Sequence, residues 1–342
     1  MSLVEALAPQ MLAYSRQFHT DGDMAWAPYV MYFHPKGYRS EVVNTDSYGF
    51  RFSNFGGNEY SVGSSTTLPS ARLIAGNSVA FGIGASADSA TIASRMMAYD
   101  TKLEPWLNFG GRAFNSAQEL ILITLYRHLL PKIDEIVLLS GANNLLLSCL
   151  PVRYIQDHGA FYNIGRFYDL LNMKKNGAVD IFSKLKHLAR HKRSTHPCND
   201  YTIDKRIRLA VDLTLRHLDG WNVVAKDLGA KLTYVLQPMS GWARDKLCKE
   251  EKKLFAELAS LARFTTISKE ILQQEVCEQY SSMLEAGAKS KKISFINISP
   301  MIRTSVKNDQ WLFVDHTHLT DDGYDLISRL IIDHIRNDVL SM

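Results

Sequence analysis

Short apolar runs of strand length alternate along this chain with longer stretches in which apolar residues return every three or four positions. The runs fall at 72–75, 106–108, 135–140, 231–236 and 293–298, and they are almost unbroken by polar residues. A strand covered on both faces reads this way, whereas a half-solvated one alternates. Between the runs, 91–103, 116–130 and 204–228 carry the helical period, the last through Ile207, Val211, Leu215, Leu218 and Ala225. A charged helical region covers 246–287, and an amphipathic helix at 321–339 closes the chain. This alternation predicts an α/β fold: three layers, α/β/α, around a mostly parallel central sheet.

The flanks and one interval do not follow it. Leu3, Leu7, Met11 and Tyr14 predict one opening helix over 3–18. Residues 24–52 are rich in Tyr, Val and Phe and are broken at His34-Pro35-Lys36-Gly37 and Asp46-Ser47-Tyr48-Gly49, which suits short strands and turns. Between 151 and about 208 no strand-like run occurs, and 184–208 is dense in Lys, Arg and His. The expected organisation is an N-terminal extension at 1–70 and an α/β domain at 71–342, with a largely helical insertion at about 151–230.

Composition narrows the class without naming a function. With 342 residues, 46% hydrophobic and 22% charged, the chain can bury a substantial core. A formal net charge of +4 does not call for nucleic acid as a partner. No run approaches the roughly 18 apolar residues of a membrane span, and 1–10 lacks the basic and apolar regions of a signal peptide, so a cytoplasmic protein is expected. Cys149, Cys198, Cys248 and Cys277 show no metal-ligand spacing and read as reduced structural thiols.

Four loops carry candidate chemistry. Gly76-Asn77-Ser78-Val79 directly follows the run at 72–75, so Ser78 sits at the carboxyl end of a strand after a sharp turn. Asn108-Phe109-Gly110-Gly111-Arg112-Ala113 follows the next strand, and Ser140-Gly141-Ala142-Asn143-Asn144 the one after. Asp315-His316-Thr317-His318-Leu319-Thr320 precedes the last helix, and a carboxylate three residues before a His can fix its tautomer. Each loop alone has an ordinary reading: a turn serine, a glycine turn, a Gly-x-Asn turn, a capping loop with surface histidines. Together they open on the carboxyl edge of one sheet, where α/β folds bind ligands.

In that order the four loops resemble the SGNH (GDSL-like) hydrolases, whose domain is flavodoxin-like. The resemblance spans about 71–335 without the insertion, and is fullest in Asp315-His316-Thr317-His318-Leu319-Thr320-Asp321-Asp322-Gly323-Tyr324. It implies that Ser78 is the nucleophile, His318 its base and Asp315 the carboxylate orienting that base. It further implies oxyanion donors at the Ser78 amide, the Ala113 amide and the Asn143 side chain. The implied reaction is cleavage of an acyl ester, of an acylated sugar or another small metabolite, without metal or organic cofactor. The same acyl-enzyme would serve an acyltransferase, and a non-catalytic binding protein could keep the fold. Three positions depart from the family pattern: Asn77 stands for Asp before the serine, Ala113 for Gly, and Asn144 for Asp. An alanine keeps the N–H but disfavours positive φ.

Other readings have narrower footholds. Gly82-Ile83-Gly84-Ala85-Ser86-Ala87 fits a dinucleotide fingerprint but does not directly follow its strand. His187 and His191 have zinc-like spacing among five cationic neighbours, Lys184, Lys186, Arg190, Lys192 and Arg193, which repel a cation. The basic stretch 184–208 is a candidate surface for an acidic substrate part or carrier.

Overall fold

The computed structural model describes residues 3–19, 25–102, 104–165, 167, 201–260 and 267–340. Helices α1 (Leu3–Leu7) and α2 (Gln10–His19) open the chain. The single predicted helix is broken between them, because Pro9 lacks a donor and disfavours helix in the residue before it. Two small antiparallel hairpins follow: β1 (Ala25–Ala27) with β2 (Met31–Phe33), and β3 (Ser53–Phe55) with β4 (Asn58–Tyr60).

The α/β alternation then begins with β5 (Ser70–Gly76), α3 (Ser78–Phe81), α4 (Ile92–Tyr99), β6 (Trp106–Gly110), α5 (Ser116–Tyr126), β7 (Lys132–Ser140) and α6 (Ala142–Leu147). It continues through α7 (Ile203–Leu228), β8 (Lys231–Leu236), α8 (Ser240–Ala243), α9 (Lys249–Ser260), α10 (Ile267–Ile271), α11 (Gln274–Ser290), β9 (Ser294–Asn297), α12 (Ile298–Ser305) and α13 (Asp321–Leu340). Among the described residues five strands form one parallel sheet in the order β6-β5-β7-β8-β9.

Successive strand residues face opposite sides, and the packing divides accordingly. Leu73, Ala75, Ile136, Leu138, Leu232, Tyr234 and Leu236 join a core with α5, α7 and α11. Their neighbours Ile74, Val137, Leu139 and Val235 join a second core with α3, α4, α12 and α13. The fold is therefore a three-layer α/β/α sandwich. Within the span 151–230, α7 is the crossover from β7 to β8, with Ile207, Val211, Leu218 and Trp221 buried in the first core. The basic stretch lies outside the described residues from 184 to 200, and so do His187 and His191. At its described end, Thr202 caps α7 and Arg206 is buried, with Nη1 3.3 Å from Glu270 Oε2. Cys149, Cys248 and Cys277 are reduced and buried, and Cys198 lies outside the described residues. Among the described residues no helix is long and apolar enough to cross a membrane.

The chain leaves β5 for β6 on one side and then crosses to β7 on the other. That reversal is a topological switch point at the carboxyl ends of β5 and β7, the place where sheets of this kind bind ligands. The loops after β5, β6, β7 and β8 all end at this edge.

Candidate active site

Ser78 occupies the first position of α3, separated from the end of β5 only by Asn77. The turn depends on Gly76, whose φ is +141° and whose missing Cβ would sit 2.0 Å from the Leu139 carbonyl oxygen. Only glycine fits there. Asn77 caps the helix by accepting from Val79 N–H at 3.0 Å. Its amide nitrogen donates to Gln237 Oε1 at 2.6 Å, and both side chains are fully enclosed. Gln237, at the end of β8, reaches on to the Thr317 carbonyl at 3.4 Å. The three bonds run from the serine turn to the loop ahead of α13.

That loop places His318 over the serine. His318 Nε2 is 2.9 Å from Ser78 Oγ, and His318 Nδ1 is 2.6 Å from Asp315 Oδ2. The other carboxylate oxygen, Oδ1, accepts from Thr317 N–H at 2.8 Å, Thr317 Oγ1 at 3.0 Å and His318 N–H at 2.8 Å. Burial alone would push the Asp315 carboxyl up. The His318 ring and these donors outweigh it and hold the group below the ordinary carboxylate range. With Asp315 ionised, His318 keeps its Nδ1 proton and turns the Nε2 lone pair to Ser78, the arrangement a general base needs.

His316 faces away. Its Nδ1 is 3.1 Å from Ser240 Oγ, and its ring packs on Phe255 at 4.4 Å. The loop itself is clamped from behind by Glu251, a residue with no sequence signal. Glu251 Oε1 accepts from Leu312 and Phe313 N–H at 3.1 Å each, and Oε2 lies 3.5 Å from Arg244 Nε in an enclosed ion pair. A second enclosed pair, Arg51 with Asp88 at 2.7 Å, holds the other end of α3, where Arg51 Nη1 donates to the Gly82 carbonyl at 2.9 Å. Gly82 and Gly84, the glycines of the dinucleotide-like run, serve packing: a Cβ on Gly84 would meet the Leu319 carbonyl oxygen at 2.2 Å.

The residues expected to hold an oxyanion meet at one turn, 111–114. Ala113 adopts φ +55°, a left-handed conformation that costs an L-residue about 1 to 2 kcal/mol. Gly111 N–H donates to the Gly76 carbonyl at 2.8 Å, which ties this turn to the serine turn. Asn143 Nδ2 donates to the Phe114 carbonyl at 2.7 Å, and its Oδ1 accepts from the Tyr162 hydroxyl at 3.3 Å. One of the two Asn143 amide hydrogens is thereby committed, and the other meets no acceptor among the described residues. The backbone N–H groups of Ser78 and Ala113 meet no acceptor among the described residues. Asn144 points elsewhere, donating to Ser116 Oγ at 2.6 Å and Thr214 Oγ1 at 2.7 Å. Under the same loop Glu119 is enclosed, with its oxygens 2.8 and 2.7 Å from Ser140 Oγ, and burial pushes its carboxyl up to about 8. Among the described residues no cluster of three or more His, Cys, Asp or Glu could hold a metal ion.

The sequence pointed to Ser78, Ala113, Asn143, Asp315 and His318, and the fold brings their loops to one edge. Gln237 and Glu251 were missed. A lone Gln after a strand and a Glu in a charged helix carry no pattern of their own, and only tertiary contact distinguishes them.

No protein-family model and no curated protein matches the chain. Similar solved structures include a GDSL-like lipase from Bacteroides thetaiotaomicron, 14% identical with a TM-score of 0.40 over 79% of this chain and 89% of that one. A lipase/acylhydrolase from Enterococcus faecalis is 13% identical, with a TM-score of 0.40 over 79% and 97%. A carbohydrate acetylesterase family member from Sinorhizobium meliloti is 12% identical, with a TM-score of 0.44 over 79% and 98%. At such values the likeness is one of chain course, and the chemistry is read from the side chains of this chain alone.

Proposed function

We propose that this chain is a serine hydrolase of the SGNH type, which cleaves a carboxylic ester of a sugar or other small metabolite through an acyl-enzyme at Ser78. The observation that carries the reading is the continuous hydrogen-bonded line from Ser78 Oγ through the His318 ring to Asp315, at 2.9 and 2.6 Å.

In the first step Ser78 Oγ attacks the ester carbon while its proton passes to His318 Nε2. Asp315 stabilises the imidazolium that forms. The carbonyl oxygen becomes an oxyanion facing the Ser78 and Ala113 N–H groups and the second amide hydrogen of Asn143. The tetrahedral centre then collapses. The C–O bond to the alcohol breaks, and the leaving oxygen takes the proton from His318. Water repeats the sequence on the acyl-enzyme: it gives a proton to His318, adds its oxygen to the carbon, and releases the acid as Ser78 recovers its proton. No redox step and no outside co-reactant besides water enters this balance.

The test is a fluorophosphonate probe followed by peptide mapping, with esters of increasing acyl length and acetylated sugars assayed beside Ser78→Ala. Labelling confined to Ser78 and turnover abolished by the substitution is the expected result. Equal labelling of both proteins, or turnover surviving in Ser78→Ala, would overturn the reading. Adding alcohol acceptors to the same assay separates transfer from hydrolysis, since a transferase discharges the acyl-enzyme faster to an acceptor than to water.

A further inference from the structure

The N-terminal hairpin lies against the turn that carries the Ala113 N–H. Tyr32, in β2, donates its hydroxyl to the Ala113 carbonyl at 2.9 Å. His34, two residues on, accepts the Arg112 N–H at Nε2 at 3.1 Å. Its Nδ1 is 3.0 Å from the Gly49 carbonyl, so the proton sits on Nδ1 and the lone pair on Nε2. The ring is buried and rests on Phe81, the last residue of α3, at 4.1 Å. Burial, with Arg112 nearby, pushes the His34 imidazolium down to about 3, so this acceptor stays neutral over the working pH range. The peptide that carries the Ala113 N–H thus lies between two held peptides: His34 grips the Arg112 N–H of the peptide before it, and Tyr32 grips the Ala113 carbonyl of the peptide after it.

Such a clamp has a physical reason here. Where a glycine would take positive φ without strain, Ala113 takes it at φ +55° against the repulsion of its Cβ. A turn under strain relaxes unless its surroundings over-determine it. A relaxed turn would give the Ala113 N–H a different direction. We propose that Tyr32 and His34 are positioning residues of the oxyanion site, holding the strained turn at Ala113 from both sides so that the Ala113 N–H faces the developing charge, and that the N-terminal hairpin is therefore a working part of the active site. This inference rests on the serine-hydrolase reading of Ser78.

The experiment is a double-mutant cycle in the full chain between Tyr32→Phe and Ala113→Gly, with His34→Gln as a second entry to the clamp. Turnover of a short-chain ester, KM, melting temperature and affinity for a boronic acid are measured for each protein. Phe keeps the ring against Phe114 and removes only the hydroxyl. Tyr32→Phe should lower kcat about tenfold and weaken the tetrahedral boronate adduct by a similar factor, with KM moved less than about twofold, since the oxyanion exists only past the ground state. Glycine adopts positive φ unaided, so in the Ala113→Gly background the same substitution should cost less than about threefold. His34→Gln should follow the same pattern, and either entry suffices should the other fail to fold. An equal loss in both backgrounds, a loss carried wholly by KM, or no loss in kcat would overturn the clamp while leaving Ser78 labelling intact. Wild-type protein that neither labels at Ser78 nor turns over ester would overturn the hydrolase reading itself, and the clamp with it.

Discussion

Replacing Asp315 by Asn tests whether the carboxylate sets the tautomer of His318, and the structure decides which way the new amide must point. Asp315 Oδ1 accepts from three donors: Thr317 N–H, Thr317 Oγ1 and His318 N–H. An amide nitrogen cannot accept from them, so the Asn carbonyl oxygen must take that position. The amide NH₂ then falls where Oδ2 was, 2.6 Å from His318 Nδ1. A donor facing Nδ1 demands a lone pair there, which moves the ring proton to Nε2. That proton points at Ser78 Oγ, 2.9 Å away, and a ring in this state cannot take the serine proton. For a serine hydrolase the loss is on the order of 10⁴ in kcat, or about 5 kcal/mol, with little effect on KM. The backbone bonds of the loop survive, so the melting temperature at neutral pH should move by only a few degrees. The folded pKa of Asp315 is depressed, so its contribution to stability is present above the unfolded value near 3.9 and is lost as pH falls through the folded value. Asn does not titrate, and acid unfolding of the variant should be correspondingly flatter. Steady-state kinetics, phosphonylation rate at Ser78 and melts across acid pH check all three. Retention of more than about a tenth of kcat, or activity loss that merely follows the folded fraction, refutes the tautomer argument.

Asn143→Ala should lower kcat by roughly 10² to 10³ through loss of the proposed oxyanion donor, and also lower stability by about 1 to 3 kcal/mol because the Phe114 carbonyl loses its partner. Asn144→Ala should show the stability loss without the kcat loss in the folded protein, since its bonds go to Ser116 and Thr214. Glu251→Ala orphans the Leu312 and Phe313 N–H groups and leaves Arg244 enclosed without its carboxylate, so chemical denaturation should register about 3 to 5 kcal/mol of lost stability. Glu119, with its carboxyl pushed up to about 8, favours the folded state fully at acid pH, and that advantage declines as pH rises from the ordinary carboxylate value through about 8. Glu119→Gln keeps a partner for Ser140 and does not titrate. The fall in denaturation free energy between about pH 6 and about pH 9 should shrink in the variant, and an unchanged slope would count against the buried-acid assignment.

Local pattern was enough to determine the alternation of strands and helices, because strands covered on both faces must be apolar throughout and the helices over them must carry a stripe. It was also enough to mark Gly76 as a turn onto Ser78 and to set Asp315 and His318 on one short loop, although the choice of His318 over His316 came from the family resemblance and the exclusion of any side chain at 76 comes from the Leu139 carbonyl of the neighbouring strand. The break at Pro9, the role of α7 as a crossover helix and the direction of His316 needed the folded chain. Those outcomes depend on what lies opposite each segment, and periodicity describes only the segment itself. The same limit applies most strongly to Gln237, Glu251, Tyr32 and His34. Each is one polar residue that draws its meaning from a partner 61 to 160 positions away, as Gln237 does from Asn77 and Glu251 does from the Leu312 N–H. A hydrogen bond across such a separation leaves no spacing in the sequence, and only tertiary packing, by enclosing both ends away from water, makes that bond necessary.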